Sequence, residues 1–215
     1  MKSILSFVFI LSLSFARADS PLTSTHFSNA YQEEKMVLYA QEHDLDKKLL
    51  KFLGKEKKSA VIKIAIINAF GWGKKDLVHQ YETYLLKKRK GLKQEVFDFL
   101  RIDADDLPEE NEQTKLLSAD DLMCWAYLQA IGDYFKPSVA SRAAYFAYVR
   151  KPKSMAHATV FTLIACQIAF DSDWCRVYEL GKEFLVDKTY EENILKKEAV
   201  QIIMDYLGLY KGSCK

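Results

Sequence analysis

Four histidines, four cysteines and several clustered carboxylates are the residues through which this chain could do chemistry, and their spacing decides which chemistry is open. The histidines, His26, His43, His79 and His157, stand singly, and no H-E-x-x-H run occurs. His79 and Glu82 share one helical face at i, i+3, but two ligands from one helix do not complete a metal site. A thiolate–imidazole pair could be posed from Cys124 or Cys166 with His157, the arrangement that activates a cysteine nucleophile. An oxidising compartment would favour bridged cysteines instead. The fragment Gly71-Trp72-Gly73-Lys74 lacks the glycine spacing and the following Ser or Thr of a phosphate loop. It reads more simply as a left-handed helix C-cap at Gly71, with the next helix starting near Asp76. Asp103, Asp105 and Asp106 lack the Gly and terminal Glu of a calcium loop. Paired carboxylates of the glycosidase kind depend on a separation that only the fold sets. No catalytic, cofactor-binding or metal-ligating residue is therefore assigned, and no cofactor is expected.

The elements that must position these residues begin with an address. Lys2, the apolar run Ile4 to Phe15 and the small-x-small site Ala16-Arg17-Ala18 are the parts of a cleaved secretory signal over residues 1–18. The run is shorter than the ~20 residues of a spanning helix, and no later stretch is apolar enough for a transmembrane anchor. The expected mature chain is residues 19–215, 215 − 18 = 197 residues, enough for one domain with a sizeable core. Removing Lys2 and Arg17 leaves 31 − 2 = 29 basic residues against 29 acidic ones, a net charge of zero. Neutrality argues against a nucleic-acid binder, whose affinity comes from neutralising phosphates. Absence of any N-x-Ser/Thr site fits a bacterial envelope protein, periplasmic or secreted.

Apolar residues recur at helical spacing through most of the mature chain, so an all-α fold is expected. Leu45, Leu49, Phe52 and Leu53 mark a helix closed by Gly54, and Leu77, Tyr81, Tyr84 and Leu85 mark another ending near Gly91. Val61 to Phe70, rich in Ile and Val, reads as a buried helix because no strand exists to pair with it. Ser118-Ala-Asp-Asp121 predicts a capping box for a helix through Phe135, and Thr189-Tyr-Glu-Glu192 one for a helix running to Tyr210. Pro137 and Pro152 stop helices, with Ser138 and Ser154 suited to the next N-caps. Charge divides unevenly. Residues 47–93 hold 14 Lys or Arg and 3 acids, 14 − 3 = +11, while 94–121 hold 10 acids and 2 bases, 2 − 10 = −8. A basic helical part is thus expected over 24–100, an acidic connection over 101–117 and helical hairpins over 118–210. The densest basic element, Lys87, Lys88, Arg89 and Lys90, suits a helix C-terminus and is also a candidate tract for an acidic partner.

Shifting the region from Asp121 by 34 residues sets Tyr127 over Phe161, Ile131 over Ala165 and Ala147 over Gly181. With Ala140 and Ala147 at close-approach positions and Pro152 at the unit's end, residues 119–186 resemble degenerate tetratricopeptide hairpins. The family's Trp, Leu-Gly and first Tyr positions are occupied here by Cys124, Tyr127-Leu128 and Ile131. The resemblance implies hairpins over 119–149 and 154–186 stacked as a short array, with a terminal helix over 189–210; the alternative is an irregular helical bundle. It also implies a protein-binding scaffold, on which Tyr127, Asp133 and Thr162 are candidate surface positions.

No C-x-x-C pair occurs among Cys124, Cys166, Cys175 and Cys214, which favours structural bridges over a redox or zinc centre. In neighbouring antiparallel helices the first turn of one lies beside the last turn of the other. Cys175, in the first turn of a helix starting near Asp173, is therefore expected to meet Cys214, just beyond Tyr210. Cys166 is the competing partner for Cys175, and Cys124 and Cys166 are otherwise left to pair or to remain buried thiols. The segment 123–135 places four large rings on one helix, more than one core stripe uses, so some must face outward or line a groove. Tyr145, Phe146 and Tyr148 follow on the next helix. The function expected is that of an exported, non-catalytic helical protein that binds another protein. The alternatives are a periplasmic immunity-like inhibitor, suggested by the Cys124-x-x-Tyr127 helix, and an enzyme with a carboxylate-based site.

Overall fold

The computed structural model describes residues 20–74, 76–102 and 109–215; the expected signal segment, Lys75, Asp103, Asp105 and Asp106 lie outside them. Among the described residues ten α-helices follow one another: α1 Lys35–Glu42, α2 Lys47–Leu53, α3 Ala60–Ala69, α4 Asp76–Lys88, α5 Glu95–Leu100, α6 Ala119–Gly132, α7 Ser138–Arg150, α8 Met155–Phe170, α9 Trp174–Gly181 and α10 Lys197–Leu207. Among the described residues there is no β-strand, only an isolated bridge between Ser154 and Glu192, so the all-α class is as expected. No described helix is long and apolar enough to cross a membrane.

The apolar run at Val61 to Phe70 is α3, buried on nearly every side, and it packs on α1, α6, α8 and the 3-10 turn Phe27–Tyr31. A helix apolar all round belongs inside a core. Ser59 caps its start by accepting from the Ile62 amide, and Gly71 ends it with φ +73°, the left-handed conformation that a glycine adopts without strain. Helix α6 opens on a reciprocal capping box. Ser118 Oγ accepts from the Asp121 amide at 3.1 Å and Asp121 Oδ2 accepts from the Ser118 amide at 2.9 Å. Asp thus performs the role usually given to Glu or Gln.

Helices α6 and α7 form a hairpin, α8 and α9 form another, and α7 packs on α8 between them. The chain then closes on itself, because α10 lies on the Phe27–Tyr31 turn and Tyr31 Oη accepts from the Lys196 amide at 2.9 Å.

Three expected boundaries are corrected. The helix through Phe135 stops at Gly132, because Asp133 turns out to φ −136° and ψ 71°. Beyond α9 the chain winds as a π-helix over Lys182–Asp187. The helix expected from Thr189 begins only at Lys197. Residues 189–192 are instead drawn onto the α7–α8 turn, where the amides of Glu191 and Glu192 both donate to the Lys153 carbonyl and the Met155 amide donates to Glu192. Asn193 completes the detour at φ +48°. The supposed capping box therefore supplies a tertiary tie rather than a helix start.

Candidate functional site

Helices α3, α6 and α8 bring together a charged cluster in the core. Lys63, wholly buried, pairs with Asp120 Oδ2, and His157 Nε2 stands 3.2 Å from Asp120 Oδ1. That approach is too poorly aligned to count as a hydrogen bond. The other ring nitrogen, Nδ1, is 2.7 Å from Ser154 Oγ, which also accepts from Asn193 Nδ2 at 3.0 Å. Ser154 thus gives its hydroxyl to His157 and Asn193 instead of capping α8. Burial alone would raise the Asp120 carboxyl, but the His157 ring and the Lys63 ammonium override it and hold the group below the ordinary carboxylate value. Both Ser154 and His157 are sealed from solvent, whereas the Asp120 side chain keeps 15% exposure, and the serine–histidine–aspartate line ties α6, α8 and the strap at Asn193 together.

A second cluster surrounds Glu82, buried on α4. Its Oε1 accepts from Trp125 Nε1 at 2.7 Å and from Arg101, and Oε2 lies 3.3 Å from His79 Nδ1. The sequence-matched pair His79 and Glu82 is therefore real in space. Its carboxylate is committed to an arginine and an indole, which argues against its acting as a metal ligand. A polar hollow of about 150 Å³, lined by Val78, His79, Arg101, Gln129, Gly132 and Asp133, opens beside it.

The cysteines separate as their environments dictate. The Sγ atoms of Cys175 and Cys214 are 2.13 Å apart, with Cα atoms 4.7 Å apart, a disulfide between the two helix ends. Cys124 and Cys166 are buried free thiols. Burial pushes both up, Cys166 to about 12, and Cys166 donates to the Val177 carbonyl at 3.4 Å. His157 Nδ1 is taken by Ser154 and Nε2 has no hydrogen-bond partner among the described residues, so neither ring nitrogen is bonded to a thiol.

Of the candidate surface positions, Tyr127 and Thr162 are wholly buried and cannot meet a partner. Tyr127 Oη accepts from Asn68 Nδ2 at 2.9 Å, and Asn68 also ties Ser28 and Thr25, so this ring fastens α6 to the N-terminal turn. Asp133 is half-exposed at the polar hollow. The four rings of the 123–135 segment divide. Trp125 and Tyr127 are core, whereas Phe135 is 78% exposed and Tyr134 meets the 41%-exposed Trp72 edge-on at 5.1 Å.

The basic tract is where exposure and charge coincide. Lys87, Lys88 and Lys90 are exposed, whereas Arg89 is spent on Glu56 and the buried Asp121, each within 2.7 Å. The end of α4 is brought against the end of α2 because Gly54 has no side chain. A Cβ there would lie 2.3 Å from the Tyr84 ring, and the Gly54 carbonyl accepts from Lys88 Nζ. Beside this junction Lys47, Lys48, Lys51, Lys55 and Lys58 line an open cleft of about 490 Å³ over Met36 and Phe52. Among the described residues none of these five closes an ion pair; Lys58 lies over the Phe52 ring at 5.3 Å and Lys48 over Tyr39 at 3.6 Å. The neighbouring carboxylates are committed elsewhere: Asp44 to Lys74, Asp46 to the Leu49 amide and Tyr39 hydroxyl, Glu56 to Arg89. In sequence these lysines belong to the basic stretch 47–93, where nothing distinguishes them from their neighbours. Lys47 and Lys51, at i and i+4, share one flank of α2, whereas Lys55 and Lys58 lie past its end at Leu53.

Compared with protein families, curated proteins and solved structures, the chain gives no significant match.

Proposed function

We propose that this chain is an exported, non-catalytic helical protein that binds another protein through the lysine-lined cleft of α2. The segment it takes is acidic and carries an aliphatic or aromatic anchor. The observation that carries this reading is the set of five cations around Phe52 and Met36 with no carboxylate partner among the described residues. Elsewhere Lys63, Lys74, Arg89, Arg101, Arg150 and Lys196 each close an ion pair. Like charges gathered without counter-charge repel one another, and an acidic ligand relieves that repulsion while its anchor covers the apolar floor. Export is supported by the leader-like sequence and by a disulfide, which oxidising compartments sustain.

The test is titration of residues 19–215 with a labelled peptide in which Asp and Glu flank a Leu or Phe. Binding should weaken with added salt, and by roughly tenfold or more in K51E/K55E, since each reversed charge replaces attraction by repulsion. Replacing the anchor by Ala should weaken it as well. Binding to anionic lipid vesicles or to an inorganic polyanion, with none to the peptide, would overturn the reading.

A further inference from the structure

Far from α2 in sequence, four aromatic rings from four segments converge. Tyr148 of α7 stacks on Phe161 of α8, with centroids 5.2 Å apart and planes 9° apart. The π-helical turn after α9 sets Phe184 edge-on to both, 5.8 Å from Tyr148 and 5.6 Å from Phe161. A π-turn adds a residue to the helical repeat and re-aims the side chains that follow, and here the re-aimed residue is the ring that closes the group. Tyr190, in the irregular strap before α10, donates its hydroxyl to the Phe184 carbonyl at 2.6 Å. Burial raises the Tyr190 phenol above its ordinary value, so the ring stays neutral at physiological pH.

The centre of this group holds a cation from the chain itself. Lys188 Nζ lies 4.8 Å from the Tyr148 centroid, 5.6 Å from Tyr190 and 5.7 Å from Phe184, and it donates to the Tyr148 hydroxyl. Among the described residues no carboxylate pairs with it; it lies off the hydroxyl edge of Tyr148, bonded to that phenol oxygen, with the Tyr190 and Phe184 rings as its other neighbours. Other lysines of the same strap region take a carboxylate: Lys182 pairs with Asp187, and Lys196 with Glu33. Two rings with centroids less than 6 Å from one ammonium, and the phenol oxygen of a third bonded to it, are a receptor geometry for a positive charge.

We propose that Tyr148, Phe184 and Tyr190 form a binding site for methylated ammonium groups, occupied in this state by Lys188 as an internal ligand. A primary ammonium is compact and strongly hydrated and leaves its hydration shell reluctantly. A quaternary ammonium spreads its charge over methyl groups that fit against ring faces, so it gains more from the cage and loses less water. Lys188 lies on an irregular strap with no helical hydrogen bonds to hold it, between the exposed Asp187 and Thr189. The apparent affinity for an external cation is the cage's own affinity reduced by the fraction of time Lys188 is inside.

The experiment uses residues 19–215 as the wild type and as K188M, which keeps the packing of the stem and removes the charge. Each is titrated with choline and with its uncharged isostere 3,3-dimethylbutan-1-ol, following the aromatic proton resonances of Tyr148, Phe184 and Tyr190. Choline should bind K188M roughly tenfold more tightly than it binds the wild type, and roughly tenfold more tightly than the neutral isostere does. The K188M/F184A variant should lose choline binding. Thermal melts of all forms separate loss of the cage from loss of the fold, and K188A serves if K188M misfolds. Equal binding of the two probes would make the group an ordinary apolar pocket, and no binding of either to folded K188M would make Lys188 a structural latch. Either result overturns the proposal.

Discussion

Substituting Lys63 by Met tests the charged core most directly. The side chain is fully buried on α3 and pairs with Asp120, whose own side chain retains 15% exposure. Methionine is close to lysine in length and shape, so little packing is lost, but Asp120 would keep its charge with only the His157 ring beside it. Removing one partner of a buried ion pair typically costs about 3–5 kcal/mol, and the residual exposure of Asp120 places the expected loss near the lower end, at about 3 kcal/mol. Urea unfolding of residues 19–215 at neutral pH reads this as a midpoint lowered by about 1 M or more. K63M/D120N should recover part of the loss, because no uncompensated charge remains. The pH dependence carries a sign. The folded Asp120 carboxyl lies below its ordinary value of 3.8, so its contribution is complete above that pH and is lost as pH falls through the folded value. The gap between wild type and K63M should therefore be full at neutrality and narrow in acid. A K63M protein within about 1 kcal/mol of wild type at pH 7, or one not rescued by D120N, would refute this account of the cluster.

Three further outcomes follow from other sites. Gly54→Ala places a Cβ 2.3 Å from the Tyr84 ring and should destabilise the protein by about 1–3 kcal/mol, as overpacking does; thermal melts check it, and weakened acidic-peptide binding should accompany the displaced α4 end. Opening the Cys175–Cys214 bridge by the double change to Ser releases a sequence separation of 39 and should cost about 4 kcal/mol in the chain-entropy model, while a non-reducing peptide map that joined Cys166 to Cys175 would contradict the connectivity. Cys124 and Cys166, buried and with raised thiol pKa values, should resist a thiol reagent at pH 8 in the native protein and both react in denaturant; rapid labelling of either without unfolding would show the core to be more open than described.

Much of the local architecture was legible because its causes are local. Ser118 and Asp121 are three residues apart and satisfy each other's backbone amides without help from the rest of the chain. Gly71 announces a left-handed cap, and the apolar run of α3 reads as buried since every face carries Ile, Val or Ala. The meeting of Cys175 with Cys214 followed from where helix ends fall. The Thr189–Glu192 box failed for the complementary reason. Its sequence is as good as a true cap, but the amides of Glu191 and Glu192 find the Lys153 carbonyl, a partner nearly forty residues away that no window contains.

The candidate site divides along the same line. Composition and spacing by themselves determined an all-helical chain with a basic tract followed by an acidic one, because periodicity, turn residues and charge are properties of neighbours in sequence. Only the tertiary structure decided which side chains are available. Tyr127 and Thr162 sit at positions a repeat would expose, yet they are buried because α6 and α8 are packed by α3 as well as by their own hairpin partners. Arg89 belongs to the basic tract but is neutralised by Asp121 from the acidic one, whereas among the described residues Lys47, Lys48, Lys51, Lys55 and Lys58 close no ion pair, Asp44, Asp46 and Glu56 being bonded elsewhere. Whether a charge is free depends on what the fold brings within a few ångströms of it, and Coulomb attraction is felt through space, not along the chain.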